Sequence, residues 1–155
     1  MKKTVEQRFW EKVGPHTDPN VCWLWRASVV TGTTQKNPLP YGYFRVGNKT
    51  VLAHRFSYEM HYHVTIPKGM TIDHVKARGC TSTLCVNPRH LEVVTSRVNT
   101  LRGNTLTAAK AAQTYCVHGH PFNEENTGVR SYGGRYCRVC HREREQALRQ
   151  KALLL

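Results

Sequence analysis

Apolar positions near the start of the chain recur first at helical and then at strand spacing. Val5, Phe9, Trp10 and Val13 fall on or near one stripe, which predicts a helix over residues 4–13, ended by Gly14-Pro15. In VCWLWRASVV (21–30), Cys22, Leu24 and Arg26 alternate with Trp23 and Trp25, the pattern of a strand. Residues 31–40 carry Gly, Asn and two prolines and read as a loop. YGYFRVGNKTVLAHRF predicts a hairpin, Tyr41 to Val46 and Lys49 to Ala53, turning at Gly47-Asn48. A short helix from His54 to His61 and a turn at Ile66 to Gly69 lead to the central stretch. There, an apolar run (Met70 to Ile72) reaches Asp73-His74. A loop with cysteines and a histidine follows, then a second run (Leu91 to Val94), then helix caps Thr95 and Ser96 with Asn99 just behind. The order is strand, tied loop, strand, helix.

Beyond Asn104 the character changes. LTAAKAAQ (106–113) is a connector helix by composition, residues 116–140 hold three cysteines and two histidines, and HREREQALRQKALLL is a charged helix with an apolar end. The expected class is α+β, with residues 1–105 as the main unit and 106–155 as connector helix, small zinc-binding module and terminal helix.

Charge narrows the partners. Lysine and arginine number 23 against 10 acids, a formal net charge of +13. The excess runs through the whole chain, with 14 bases and 6 acids in residues 1–100 and 9 and 4 in the remainder. Such a body suits a polyanion, and nucleic acid is the commonest one. The start, MKKTVEQRFW, lacks the apolar stretch of a secretory signal, and no run approaches a membrane span, so a cytoplasmic protein without a membrane partner is expected. In a reducing compartment six cysteines point to zinc rather than disulfides. Hydrophobic residues make up 39%, thin for this length, so a cross-linking metal would share the work of the core.

The cysteines sort into two sets. Cys80, Cys85 and His90 are closely spaced and provide three ligands; Cys22, the one cysteine outside the two clusters, is the candidate fourth. Cys116, Cys137 and Cys140 form the second set, completed by His118 or His120. Both sets are closed, so zinc serves as scaffold. Hydrolysis of a phosphodiester, in contrast, needs a base and a cation. His74 is suited to the base by its near-neutral pKa, and Asp73 and Asn99 offer the oxygens that Mg²⁺ (or Mn²⁺) prefers. Neighbouring strand residues point to opposite faces, so Asp73 and His74 share a site if the strand ends or bends between them.

These motifs together resemble the HNH and His-Cys-box endonucleases of the ββα-metal class. The shared pattern is Asp73-His74, Cys80-x4-Cys85, VNPRHL and Asn99 in NTLRGN; CWLW, YGYFRV and AHRFSYEM resemble phage-type HNH homing endonucleases over residues 8–104. The tail resembles a small zinc module of CxxGH…CxxC outline. The resemblance implies His74 as general base, Asp73 and Asn99 as ligands of one Mg²⁺, and Asn87 as a residue ordering the loop by hydrogen bonds. It implies Cys22, Cys80, Cys85 and His90 as the first zinc set, and selects His120 for the second. It also implies a cation on the leaving phosphate, for which Arg45 is preferred to Arg55. One departure stands out: five residues separate His74 from Cys80, where relatives often have one.

The expected partner is duplex DNA. The hairpin with Arg45 and Lys49 has the shape of a ribbon for the major groove, and Arg55, Arg130, Arg135 and Arg138 are candidate phosphate contacts. The end from Leu148 to Leu155 either joins two chains as a homodimer or covers the tail module. The implied function is a metal-dependent, homing-type DNA endonuclease, nicking or cutting both strands, in the host cytoplasm if phage-encoded. The competing readings are a non-catalytic zinc-stabilised DNA-binding protein and an RNA-directed or junction-resolving nuclease.

Overall fold

A computed structural model describes residues 2–30 and 39–153; the expected loop at 31–40 lies almost wholly outside the described residues, as do Leu154 and Leu155. The architecture is α+β, with short helices and three small antiparallel sheets. The chain divides into two compact units, Met1–Asn99 and Thr100–Leu155. None of the described helices is long and apolar enough to cross a membrane.

The first unit opens with α1 (Val5–Trp10), entered through a capping box in which Thr4 and Gln7 satisfy each other's backbone N–H groups. The helix stops before the expected residue 13, because Lys12 and Val13 turn back to bond Phe9 and Trp10. The region 21–30 is not the continuous strand its alternation suggested. Its backbone is shared between two neighbours: Gly14 N donates to Leu24 O and Arg26 N to Lys12 O, whereas Trp25 N donates to Leu84 O and Val86 N to Trp23 O. Only β1 (Val29–Val30) pairs as a strand, against β2 (Tyr41–Val46). The hairpin of β2 with β3 (Lys49–Leu52) has Val46 opposite Lys49, and Gly47 takes φ +56°, the positive value that a two-residue turn of type II′ asks of its first residue. Then α2 (Ala53–Tyr62) begins one residue sooner than expected.

A core of Phe9, Val13, Trp25, Phe44, Ala53 and Val86 joins these elements, with Phe9 against Trp25, Phe44 and Phe56 at ring separations of 5.0–5.2 Å. Offset and edge contacts of this kind add to the area buried. A second cluster, Ile66, Ile72 and Leu91, seats β4 (Met70–His74) and β5 (Leu91–Thr95) against Tyr58 of α2. From β5 the chain enters α3 (Ser96–Arg102), where the Thr95 hydroxyl accepts from Val98 N.

The second unit holds α4 (Leu106–Ala112), the hairpin of β6 (Thr127–Val129) with β7 (Arg135–Cys137), and α5 (Arg138–Ala152). The last helix starts three residues before the expected His141, because the Cys137 sulfur caps it by accepting from Cys140 N.

Gly42 marks the tightest approach in the first core: a Cβ there would lie 2.7 Å from Cγ of Trp25. Gly42→Ala should therefore destabilise the first unit by roughly 1–3 kcal/mol through overpacking, read as a lowered denaturation midpoint.

Candidate metal centres and hydrolytic corner

The first ligand set gathers from three places in the chain. Cys22 comes from the segment shared between two neighbours, Cys80 follows a 3-10 turn (Lys76–Arg78), Cys85 precedes a second such turn (Pro88–His90), and His90 is the last residue of that turn. Their sulfur and nitrogen atoms all lie within 4.8 Å of one another. Cys22 and Cys85 sulfurs are each 3.7 Å from His90 Nδ1. A zinc tetrahedron with bonds of about 2.3 Å to sulfur and 2.0 Å to nitrogen has S–N edges of about 3.5 Å. The spacing fits zinc, and His90 Nδ1 is the nitrogen that faces the sulfurs. In the second unit Cys116, His120, Cys137 and Cys140 gather in the same way, with His120 Nδ1 3.5, 3.7 and 3.2 Å from the three sulfurs. Cys116 and Cys140 sulfurs are 3.7 Å apart, against about 3.8 Å for a zinc-thiolate edge. The structure places His120, not His118, in this set.

Thiolate chemistry supports both sets. The hydrogen bond from Cys85 brings Cys80 down to about 4, with His74 adding to it, while sharing that proton and burial push Cys85 well up. In the second set burial opposes ionisation of Cys137, but hydrogen bonds from Cys140 N, Asn126 and its sulfur neighbours bring it down to about 6. Burial and the adjoining sulfurs hold Cys140 up at about 12. A few thiols thus share protons that a cation would displace. Both sets are closed by four protein ligands, the composition of structural zinc.

Buried polar bonds lock the first loop. Asn87 is fully buried; its Nδ2 donates to Pro19 O and Val21 O, and its Oδ1 accepts from Arg89 N. The segment carrying Cys22 is thereby held to the loop carrying the other three ligands. Ser57 of α2 donates to Val86 O at 2.6 Å and ties the same loop to the helix.

Asp73 and His74 are the last two residues of β4. The ladder runs through both, with Asp73 opposite Glu92 and His74 opposite Leu91, so the strand neither ends nor bends between them. Alternation then sends His74 to the face of Ile72 and Leu91, and Asp73, which is buried, to the face of Glu92. His74 Nδ1 lies 3.4 Å from the Cys80 sulfur. With Cys80 as thiolate, Nδ1 carries the proton and donates it, which leaves Nε2 with the lone pair; that atom is buried and unpartnered. The inserted residues between His74 and Cys80 form the 3-10 turn that brings the two side chains together. Asn99 lies half-buried on α3.

A residue that spacing did not flag joins this corner. His54, at the start of α2, is buried, with its ring centroid 5.1 Å from that of His74 and 5.5 Å from that of Tyr41. Burial first, then the neighbouring His74 and Arg55, lower His54 to about 3. The sequence signal available was only a histidine one residue inside a helix.

The proposed DNA-contacting cations have varied surroundings. Arg45 is exposed and its Nε donates to Gly47 O; Lys49 is exposed at the hairpin turn. Arg55 donates to Met70 O from a half-buried position. Arg135 stacks on Phe122 at 4.2 Å and donates to Lys110 O and Gln113 O, so its guanidinium closes the C-terminal end of α4. Arg130 lies over Tyr136, and Arg138 is exposed on α5.

Two outcomes follow. Cys137→Ser should remove one zinc and unfold the second unit while leaving the circular-dichroism and fluorescence signature of the tryptophans, all in the first unit, in place. A His54 held near 3 in the folded chain and near 6.5 unfolded makes the unfolded state take up the proton first on acidification. Stability should accordingly fall between about pH 6.5 and pH 3, by up to roughly 4 kcal/mol from this group. In denaturation curves His54→Gln should flatten that slope relative to the unsubstituted chain.

Comparison of the chain with protein-family models, curated proteins and solved structures returns no match.

Proposed function

We propose that this protein is a metal-dependent DNA endonuclease that hydrolyses phosphodiester bonds, with its site on the β4–β5–α3 unit. The observation that carries the reading is the placement of Asp73 and His74 at the end of β4, directly before a loop tied by a closed Cys3His set, with α3 and Asn99 following the partner strand. A net charge of +13 supports a polyanionic substrate.

Asp73 and Asn99 would hold the divalent cation. Their carboxylate and amide oxygens are hard donors of the kind that Mg²⁺ takes, and a bound Mg²⁺ would supply positive charge at the leaving oxygen. His74 takes the proton of the attacking water. The Cys80 thiolate fixes its tautomer by accepting from Nδ1, so Nε2 is the basic nitrogen. Asp73 and His74 leave opposite faces at the last rungs of the ladder, and a DNA strand crossing the end of β4 would meet both. Arg45 stands apart from this corner, in a cavity beside α1, and is given no part in the hydrolysis. The two Cys3His sets act as scaffold and take no part in the chemistry.

A second reading is favoured by one observation: Nε2 of His74 is sealed from solvent, as suits a histidine that only braces the zinc set. On that reading the protein binds DNA without cutting it.

Cleavage of supercoiled plasmid with Mg²⁺ separates the two. The endonuclease reading expects nicked or linear product from the zinc-loaded protein and a rate ~10²-fold or more lower for His74→Ala, with DNA binding and zinc content retained. Near-normal cleavage by that variant would remove His74 from the mechanism. No cleavage by the unsubstituted protein, despite salt-sensitive binding, would establish the second reading.

A further inference from the structure

Outside the corner just described, the first unit has a cavity of about 480 Å³ beside α1 and the β2–β3 hairpin, with Phe44 in its wall. Arg8, Lys12 and Arg45 line it, together with Ser28, Tyr43 and Thr50. Arg45 and Thr50 are cross-strand partners, which puts both on the face that points away from the Phe44 core.

The cations are set in place by the backbone. Nη2 of Arg8 donates to Arg45 O at 2.9 Å, and the same guanidinium lies 5.7 Å from the Phe44 ring centre. Nε of Arg45 donates to Gly47 O. Each guanidinium spends one N–H on a carbonyl and keeps the rest of its fork. The Lys12 ammonium has no hydrogen-bond or ion-pair partner among the described residues. Glu11 is the one acid at the cavity, and Lys3 neutralises it at 2.7 Å. Three positive charges therefore converge on one concavity without a counter-ion from the protein. Hydroxyls stand beside them, the donor set that phosphate oxygens receive in protein–DNA contacts.

We infer that this cavity is a binding site for a phosphodiester group of the duplex DNA backbone, held by Arg8, Lys12 and Arg45. The site rests on the DNA-binding part of the proposed function and is independent of whether the chain cleaves. It extends contact beyond the hairpin to α1, an element that no motif marked. Phosphate contacts carry no base information, so the site would fix register on the duplex and act alike on all sequences.

The test measures affinity for duplexes of several sequences over a series of salt concentrations, without Mg²⁺, for the zinc-loaded full chain. Each neutralised phosphate contributes about −0.9 to the slope of log affinity against log salt. Lys12→Gln alone and Arg8→Gln/Lys12→Gln together should make the slope shallower, the double variant by about 1, equally for every sequence. Lys68→Gln, which removes the same charge from an exposed turn away from the cavity, should leave the slope unchanged. The Lys12 side chain makes no hydrogen bond or ion pair among the described residues, so its variant remains informative even if loss of Arg8 perturbs the hairpin. An unaltered slope in both cavity variants, or an equal change in Lys68→Gln, would overturn the site. A changed slope on single-stranded RNA with none on duplex DNA would overturn its assignment to DNA. An unsubstituted chain that binds no DNA would overturn the site and the nucleic-acid reading together.

Discussion

Four side chains far apart in sequence, Cys22, Cys80, Cys85 and His90, converge on a volume that fits one zinc ion, and the first unit is arranged around that convergence. The segment bearing Cys22 has no strand partner of its own and divides its backbone bonds between the end of α1 and the β4–β5 loop. The loop in turn has two 3-10 turns in place of a regular element. A divalent ion held by three thiolates would supply here what a thin core does not. Binding of structural zinc is worth on the order of 10 kcal/mol in small modules, comparable with the whole stability of a domain. Asn87 and Ser57 add hydrogen bonds that tie the loop to the Cys22 segment and to α2.

This scaffold reaches into the proposed chemistry through one atom. Cys80 is both a member of the candidate zinc set and the acceptor for His74 Nδ1, so that set and the proposed base form one hydrogen-bonded unit. Such outer partners fix ring orientation and tautomer. His54 and Tyr41 pack against the same imidazole from the other elements of the unit, α2 and β2. The second unit repeats the metal device with a hairpin and one helix, and has Arg135 as an internal brace.

Much of this was legible because metal ligands announce themselves by residue type and spacing. The two cysteine sets, the 41–52 hairpin and the β4–β5–α3 order all follow from short-range patterns. The 21–30 alternation was misleading because Trp23 and Trp25 pack without a continuous ladder; tertiary contacts, not periodicity, decided that segment. The unbroken ladder through Asp73-His74 was equally hidden, since a loop that permits a bend does not impose one. His54 gave no signal because its importance is a contact between α2 and β4, and spacing gave no sign that Arg135, a candidate phosphate contact, also engages Phe122 and α4. Arg8 and Lys12 belong to no motif, and only the fold brings them beside Arg45.

The claim on which everything else depends is that two closed Cys3His zinc sites hold the chain together. X-ray absorption at the zinc edge, on protein purified without added chelator, addresses it directly. The account predicts two zinc ions per chain, each with three sulfurs at about 2.3 Å and one nitrogen at about 2.0 Å. Oxygen ligands in the first shell, or a folded chain carrying fewer than two zinc ions, would contradict it.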